Sequence, residues 1–184
     1  MSYTLPNIIT LLRIALIPLL FVIYFSSLKF AMPIAAILFI LAGITDWLDG
    51  YLARKLNQTS AFGAFLDPVA DKLIVAFALV MIVYRHPDPD MYILISALVI
   101  IGREITVSAL REWMAELGNR GAVAVSYLGK VKTTVQIIAI VFLLWYHPIG
   151  LIPTFEIGKW LLVVAAILTV ISMIDYLRAA FRSN

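Results

Sequence analysis

Residues 31–84 read AMPIAAILFILAGITDWLDGYLARKLNQTSAFGAFLDPVADKLIVAFALVMIVY. Two long apolar stretches flank an acidic centre that carries Asp46, Asp49, Asp67 and Asp71. The short polar connection Gln58-Thr59-Ser60 joins them. A bilayer core of roughly 30 Å takes about 20 apolar residues as a helix. The stretch therefore predicts helices over Ala31–Leu56 and Phe62–Tyr84, paired as an antiparallel hairpin in a membrane.

The rest of the chain extends the same pattern. Cutting it at Pro, Gly and charge clusters adds apolar segments at Leu5–Phe25, Met91–Leu117, Val123–Tyr146 and Phe155–Phe181. The fourth segment of the chain runs long because it carries a charged extension, Arg111 to Glu116. Composition agrees: 63% of the 184 residues are hydrophobic and the mean hydropathy is +1.01. So little polar surface cannot cover a water-facing domain. The expected fold is all-α: one polytopic membrane domain, residues 1–184, with six transmembrane helices.

Lys and Arg orient it. Lys29, Arg85 and Lys159 mark one side. The other holds Arg54, Lys55, Arg120, Lys130, Arg178 and Arg182, and this more basic side is expected to be cytoplasmic. Both termini and the acidic centre fall there, so the active site is expected at the cytoplasmic end of a bundle in the inner membrane. The first segment contains Asn7, Thr10 and Arg13 and lacks a basic leader or a small-residue cleavage site, so it reads as a retained helix. Tyr24, Tyr84, Tyr92, Trp145, Tyr146 and Trp160 fall at segment ends, as interfacial anchors do.

At 100° per residue, Asp46, Asp49, Gly50, Ala53 and Asn57 share one helical face, and Gly63, Ala64, Asp67, Ala70 and Asp71 share another. Small residues between the carboxylates let backbones and a ligand approach closely. Carboxylates crowded at membrane depth repel one another unless cations neutralise them. The chain has no Cys and only His86 and His147, each beside a proline. Oxygen donors are thus the abundant metal ligands, and they suit Mg²⁺, Ca²⁺ or Mn²⁺. Two such ions form a known clamp for displacement at phosphorus. Pro68, directly after Asp67, is either a first-turn proline or a kink that aims Asp67.

The spacing D-x2-D-G-x2-A-R-x8-G-x3-D-x3-D runs from Asp46 to Asp71 without a departure. It resembles the signature of the CDP-alcohol phosphotransferase family of membrane enzymes, whose six-helix layout also agrees. The resemblance implies transfer of a phosphatidyl group from CDP-diacylglycerol, or a related CDP-alcohol, to a second alcohol, with release of CMP. It implies two divalent ions, Mg²⁺ or Mn²⁺, held by Asp46, Asp49, Asp67 and Asp71, with Asp71 also the general base on the acceptor hydroxyl. Gly50, Ala53 and Gly63 would leave room for the CDP head group, with Arg54 near its phosphates and Asp49 beside it. Asn7 and Thr10, spaced i, i+3 on the first helix, match a stretch that helps hold the cytidine. Capping and interhelical bonding is their structural alternative. Arg13 either snorkels or pairs with an Asp.

On the fourth helix Glu104, Ser108 and Arg111 share a face, with Arg103 to one side. Gly129-Lys130-Val131-Lys132-Thr133 follows. Such cations near a membrane-depth cavity suggest an anion site. Both stretches are similar to those of the subgroup that makes phosphatidylglycerophosphate. That likeness implies glycerol 3-phosphate as acceptor, its sn-1 hydroxyl attacking, with Arg103, Arg111, Lys130 and Lys132 on its phosphate. Lys130 and Lys132 differ by about 200° on a helix, so one is expected from the connecting loop. The alternative for these cations is headgroup contact and topology. Asp88, Asp90, Glu112, Glu116, Asp175 and Arg178 read as ordinary surface charges, whereas Lys72 balances charge beside Asp71.

The rival acceptors within the family are inositol phosphate, inositol, serine and phosphatidylglycerol. An ion or proton transporter using the same Asp face is the rival from another class, and a prenyltransferase fits the Gly and Ala spacing poorly. A homodimer is expected by resemblance only, and no nucleic-acid partner is expected.

Overall fold

The computed structural model describes residues 5–55, 61–85, 90–116 and 127–182. Six helices account for nearly all of them: α1 Leu5–Tyr24, α2 Ala31–Lys55, α3 Ala61–Arg85, α4 Met91–Glu116, α5 Tyr127–Trp145 and α6 Thr154–Arg182. The only β feature among the described residues is an isolated bridge between Ile149 and Ile152, in the turn that contains Gly150 at φ 60°. The all-α expectation holds, and the helix ends fall within a few residues of those read from the apolar pattern. The expected starts and ends at Leu56, Leu117 and Val123 lie outside the described residues.

Local chemistry sets several ends. Asp90 caps α4, its Oδ1 accepting from the backbone N–H of Tyr92 at 2.9 Å and of Ile93 at 3.3 Å, two donors that have no intrahelical partner. The same carboxylate meets Lys159 of α6 at 3.3 Å, so it is more than a loop charge. Arg85 closes α3 by donating to the carbonyl of Tyr24 at 2.8 Å, with its guanidinium over the Tyr24 ring. Pro68 lies well inside α3, past its first turn, so the first-turn reading gives way to the interior one. It removes one rung of the helical ladder where the acidic face begins.

Small side chains carry the packing. Ala35, Ala36 and Ala42 of α2, Ala78 of α3, Ala97 of α4, Ala139 of α5 and Ala165 of α6 are fully buried or nearly so. Such residues let helix backbones come close where lipid removes the hydrophobic drive to associate. The extreme case is Gly158: a Cβ there would lie 3.0 Å from the backbone N of Leu143. Leu12, Val22, Leu98, Ile105 and Ile167 remain exposed, an apolar exterior far beyond what a water-facing monomer carries. Among the described residues, two helices, α4 and α6, are each long and apolar enough to cross a membrane.

The packing order differs from the simple hairpin picture. α5 packs most extensively on α6, and α1 packs on both α2 and α3, while α2 and α3 touch each other least. The two acidic helices therefore meet largely across α1.

Candidate active site

Two buried polar residues of α1 reach the acidic helices. Arg13, 1% exposed, donates through Nη1 to Asp46 Oδ1 at 2.6 Å. Thr10, one turn earlier and equally buried, donates its hydroxyl to Asp67 Oδ1 at 2.7 Å. The i, i+3 spacing that puts Thr10 and Arg13 on one face of α1 thus brings Asp46 of α2 and Asp67 of α3 to the same depth. A buried guanidinium is stabilised only by a close acceptor, and the carboxylate gains a charge-assisted bond in return.

Asp71, one turn beyond Asp67, lines a cavity of about 350 Å³ together with Arg13, Phe39, Gly43, Ile74 and Ile137. Its walls are apolar apart from Arg13 and Asp71, so the cavity has a charged end and a greasy body. A Cβ added at Gly43 would meet nothing within 4 Å. Val75, one turn along α3, forms a shared wall with a second cavity of about 150 Å³ that Lys72, Ile101, Glu104 and Ile105 line. Consecutive residues Asp71 and Lys72 therefore face two adjoining spaces.

Beyond the second cavity lies a network across α4, α5 and α6. Lys132, 1% exposed, donates its ammonium to Glu104 Oε1. Arg103 Nη1 reaches the same oxygen at 3.4 Å, and its Nη2 donates to Ser172 Oγ at 2.8 Å. The Arg103 guanidinium also lies 5.4 Å from the Tyr176 ring. Arg111 Nη2 donates to the Tyr176 hydroxyl at 2.9 Å. Lys130 is on α5 as well but points outward, exposed. Both lysines belong to the described helix, which corrects the expectation that one of them comes from a loop. Their separation of about 200° puts one inside and one outside.

Of the residues singled out in the sequence, the structure gathers Thr10, Arg13, Asp46, Asp67 and Asp71 into one group. Arg103, Arg111 and Lys132 form another, joined through Glu104 and Tyr176. Gly63 is buried at the start of α3. Asn7, Asp49, Gly50, Ala53 and Arg54 lie on described helical backbone, and their side chains fall outside the described residues. Sequence reading missed the parts played by Glu104, Ser172 and Tyr176. The signal existed: Thr169, Ser172 and Tyr176 make an i, i+3, i+7 polar stripe on α6.

Among the described residues, no three carboxylate or imidazole groups close into a metal-holding cluster. Arg13 and Thr10 draw Asp46 and Asp67 to α1, each engaging Oδ1. The donor chemistry nonetheless fits a hard divalent cation: every candidate is a carboxylate, and each has a second oxygen.

Comparison with known proteins places this architecture. The model of the CDP-alcohol phosphatidyltransferase family matches residues 3–171. The chain is 48% identical over 180 residues to a CDP-diacylglycerol–glycerol-3-phosphate 3-phosphatidyltransferase of Salmonella choleraesuis, covering 98% of this chain and 96% of that protein. Proteins of the same description from Shigella flexneri serotype 5b and Escherichia coli K12 are each 46% identical over the same shares. With the signature intact from Asp46 to Asp71 and the match running nearly end to end, the chain belongs to the CDP-alcohol phosphatidyltransferase family.

Proposed function

We propose that the protein transfers the phosphatidyl group of CDP-diacylglycerol to the sn-1 hydroxyl of glycerol 3-phosphate, giving phosphatidylglycerophosphate and CMP. The observation that carries this reading is the 48% identity, over 98% of the chain, to a relative named for that reaction. The site geometry supports it: an acidic group with a charged-and-apolar cavity on one side and a cationic network on the other.

The acceptor hydroxyl attacks the phosphorus that bears diacylglycerol, the bond from that phosphorus to the oxygen of CMP breaks, and Asp71 takes the hydroxyl proton. Asp71 is suited to this because it lies open to the cavity, while Asp46 and Asp67 are engaged by Arg13 and Thr10. When bound, two divalent cations, Mg²⁺ or Mn²⁺, neutralise charge on the pyrophosphate, and Asp46, Asp49, Asp67 and Asp71 are the residues that would hold them. Asn7, Asp49, Gly50, Ala53, Arg54 and Gly63 receive the CDP head group. Thr10, buried, acts from behind Asp67. The apolar body of the larger cavity takes the first carbons of an acyl chain, whose head group meets Arg13 and Asp71 at its charged end. Arg103, Arg111 and Lys132 face the acceptor phosphate, with exposed Lys130 at the entrance.

The six helices span the inner membrane with the acidic end at the cytoplasmic face, where both soluble substrate and product reside, and two copies pair as a homodimer. Purified protein given CDP-diacylglycerol, labelled glycerol 3-phosphate and Mg²⁺ should release CMP and move the label into the lipid phase. Absence of both products in detergent that keeps the helices folded would overturn the reading. Transfer to inositol phosphate, inositol, serine or phosphatidylglycerol in place of glycerol 3-phosphate would reassign the acceptor.

A further inference from the structure

Arg103 and Lys132 share one carboxylate, that of Glu104. Both cations are buried, Lys132 at 1% and Arg103 at 8% exposure. An ammonium on a flexible four-carbon stem keeps neither its charge nor its position in such surroundings without a fixed partner. Glu104 supplies that partner, and it does so from between the two cations: α5 holds one, while Ser172 of α6 fixes the far side of the other at 2.8 Å. The pair keeps one positive charge more than its carboxylate cancels. Arg103 Nε, moreover, is buried with no hydrogen-bond partner among the described residues. A buried donor left over in this way is available to an anionic ligand. Glu104 also borders the smaller cavity beside Lys72, next to Asp71.

Resting on the glycerol 3-phosphate reading above, we infer that Glu104 is a positioning residue for the acceptor. It fixes Lys132 and Arg103 as one rigid cationic unit, charged and spaced for a phosphate, on the side of α3 opposite the lipid cavity. It does not touch the reacting atoms; it acts through the two cations. A carboxylate in this position has a second consequence. It lowers the net charge of the unit from two to one, so the site attracts a phosphate without trapping it.

The test is steady-state kinetics of Glu104→Gln, Glu104→Asp and Lys132→Gln with CDP-diacylglycerol and glycerol 3-phosphate varied separately. Loss of the shared carboxylate should raise KM for glycerol 3-phosphate on the order of tenfold, with KM for CDP-diacylglycerol changed less than about twofold. Glu104→Asp, which keeps the charge, should recover part of the loss. The double variant Glu104→Gln with Lys132→Gln should lose clearly less than the two single losses combined, because the residues act as a unit and only the Arg103 contact remains to be lost. An unchanged KM for glycerol 3-phosphate, equal rises for both substrates, or additive losses in the double variant would each overturn the inference. If Glu104→Gln does not fold, the Glu104→Asp and Lys132→Gln cycle reads the same coupling. Failure here leaves wild-type CMP release intact, whereas failure of the proposed reaction abolishes it in the wild type.

Discussion

Arg13 of α1 and Asp46 of α2 meet at 2.6 Å, and one turn away Thr10 and Asp67 of α3 meet at 2.7 Å. α1 is therefore the spacer that sets the distance between the two acidic helices. Replacing Arg13 by Gln leaves Asp46 with a weaker partner and a cavity edge without its cation. Asp46 is partly open to solvent, which tempers the cost to about 1–3 kcal/mol. Arg13→Gln should lower the melting temperature in detergent and reduce kcat/KM at least about tenfold, with Arg13→Lys recovering part of both. Full activity in Arg13→Gln would remove α1 from the site.

Asp71→Asn tests the general base. The amide keeps the size and polarity of the side chain but takes up no proton, so turnover should fall by at least about a hundredfold. Binding of a CDP analogue, read by isothermal titration, should stay within a few-fold of wild type, since Asp46 and Asp67 keep their partners on α1. Retained turnover would assign the proton to another group.

Removal of divalent ions separates folding from chemistry. Asp46 and Asp67 are tied to α1 by hydrogen bonds from Arg13 and Thr10. Chelation should therefore stop CMP release while leaving helix content by circular dichroism unchanged, and Mg²⁺ or Mn²⁺ should restore it. Undiminished release after exhaustive chelation contradicts a metal-dependent site.

Much of this was legible in the chain, for identifiable reasons. Helix number and position follow from apolar run length, because a bilayer imposes a minimum span. The Asp46–Asp71 string is local in sequence, so its spacing survives reading in one dimension. What sequence left open depends on which helix lies beside which. Arg13 had two possible fates, and only the packing of α1 on both α2 and α3 selects Asp46. Glu104 shares a face with Ser108 and Arg111 in the sequence, but only the packing of α5 and α6 brings Lys132 to it and Ser172 to its neighbour Arg103. Lys130 and Lys132 diverge by helical geometry alone, but the direction of the bundle interior decides which one is buried.

Gly158 predicts where the bundle tolerates no extra atom. Its missing Cβ would lie 3.0 Å from Leu143 N, Leu143 Cγ and Phe142 Cβ. One of these is backbone on a rigid helix, so α5 and α6 must move apart. Gly158→Ala should destabilise by about 1–3 kcal/mol, as overpacked cores do, and Gly158→Leu by more, read as melting temperature in detergent. A melting temperature at or above wild type for Gly158→Leu would mean the helices part without cost.

Gly43 makes the opposite prediction, because its Cβ position is open and faces the larger cavity beside Arg13 and Asp71. A leucine there meets no protein atom at its Cβ and extends into the space assigned to an acyl chain. In a helix interior the change from glycine also favours folding, by up to about 1 kcal/mol, so the melting temperature should hold or rise. Any kinetic defect is then a blocked cavity rather than a damaged fold. Gly43→Leu should raise KM for long-chain CDP-diacylglycerol about tenfold, spare a CDP-diacylglycerol with six-carbon chains, and leave KM for glycerol 3-phosphate unchanged. Gly43→Ala should resemble wild type with both lipids. Equal losses on long and short chains would place the acyl chain elsewhere, because a filled slot can discriminate only between ligands that reach it.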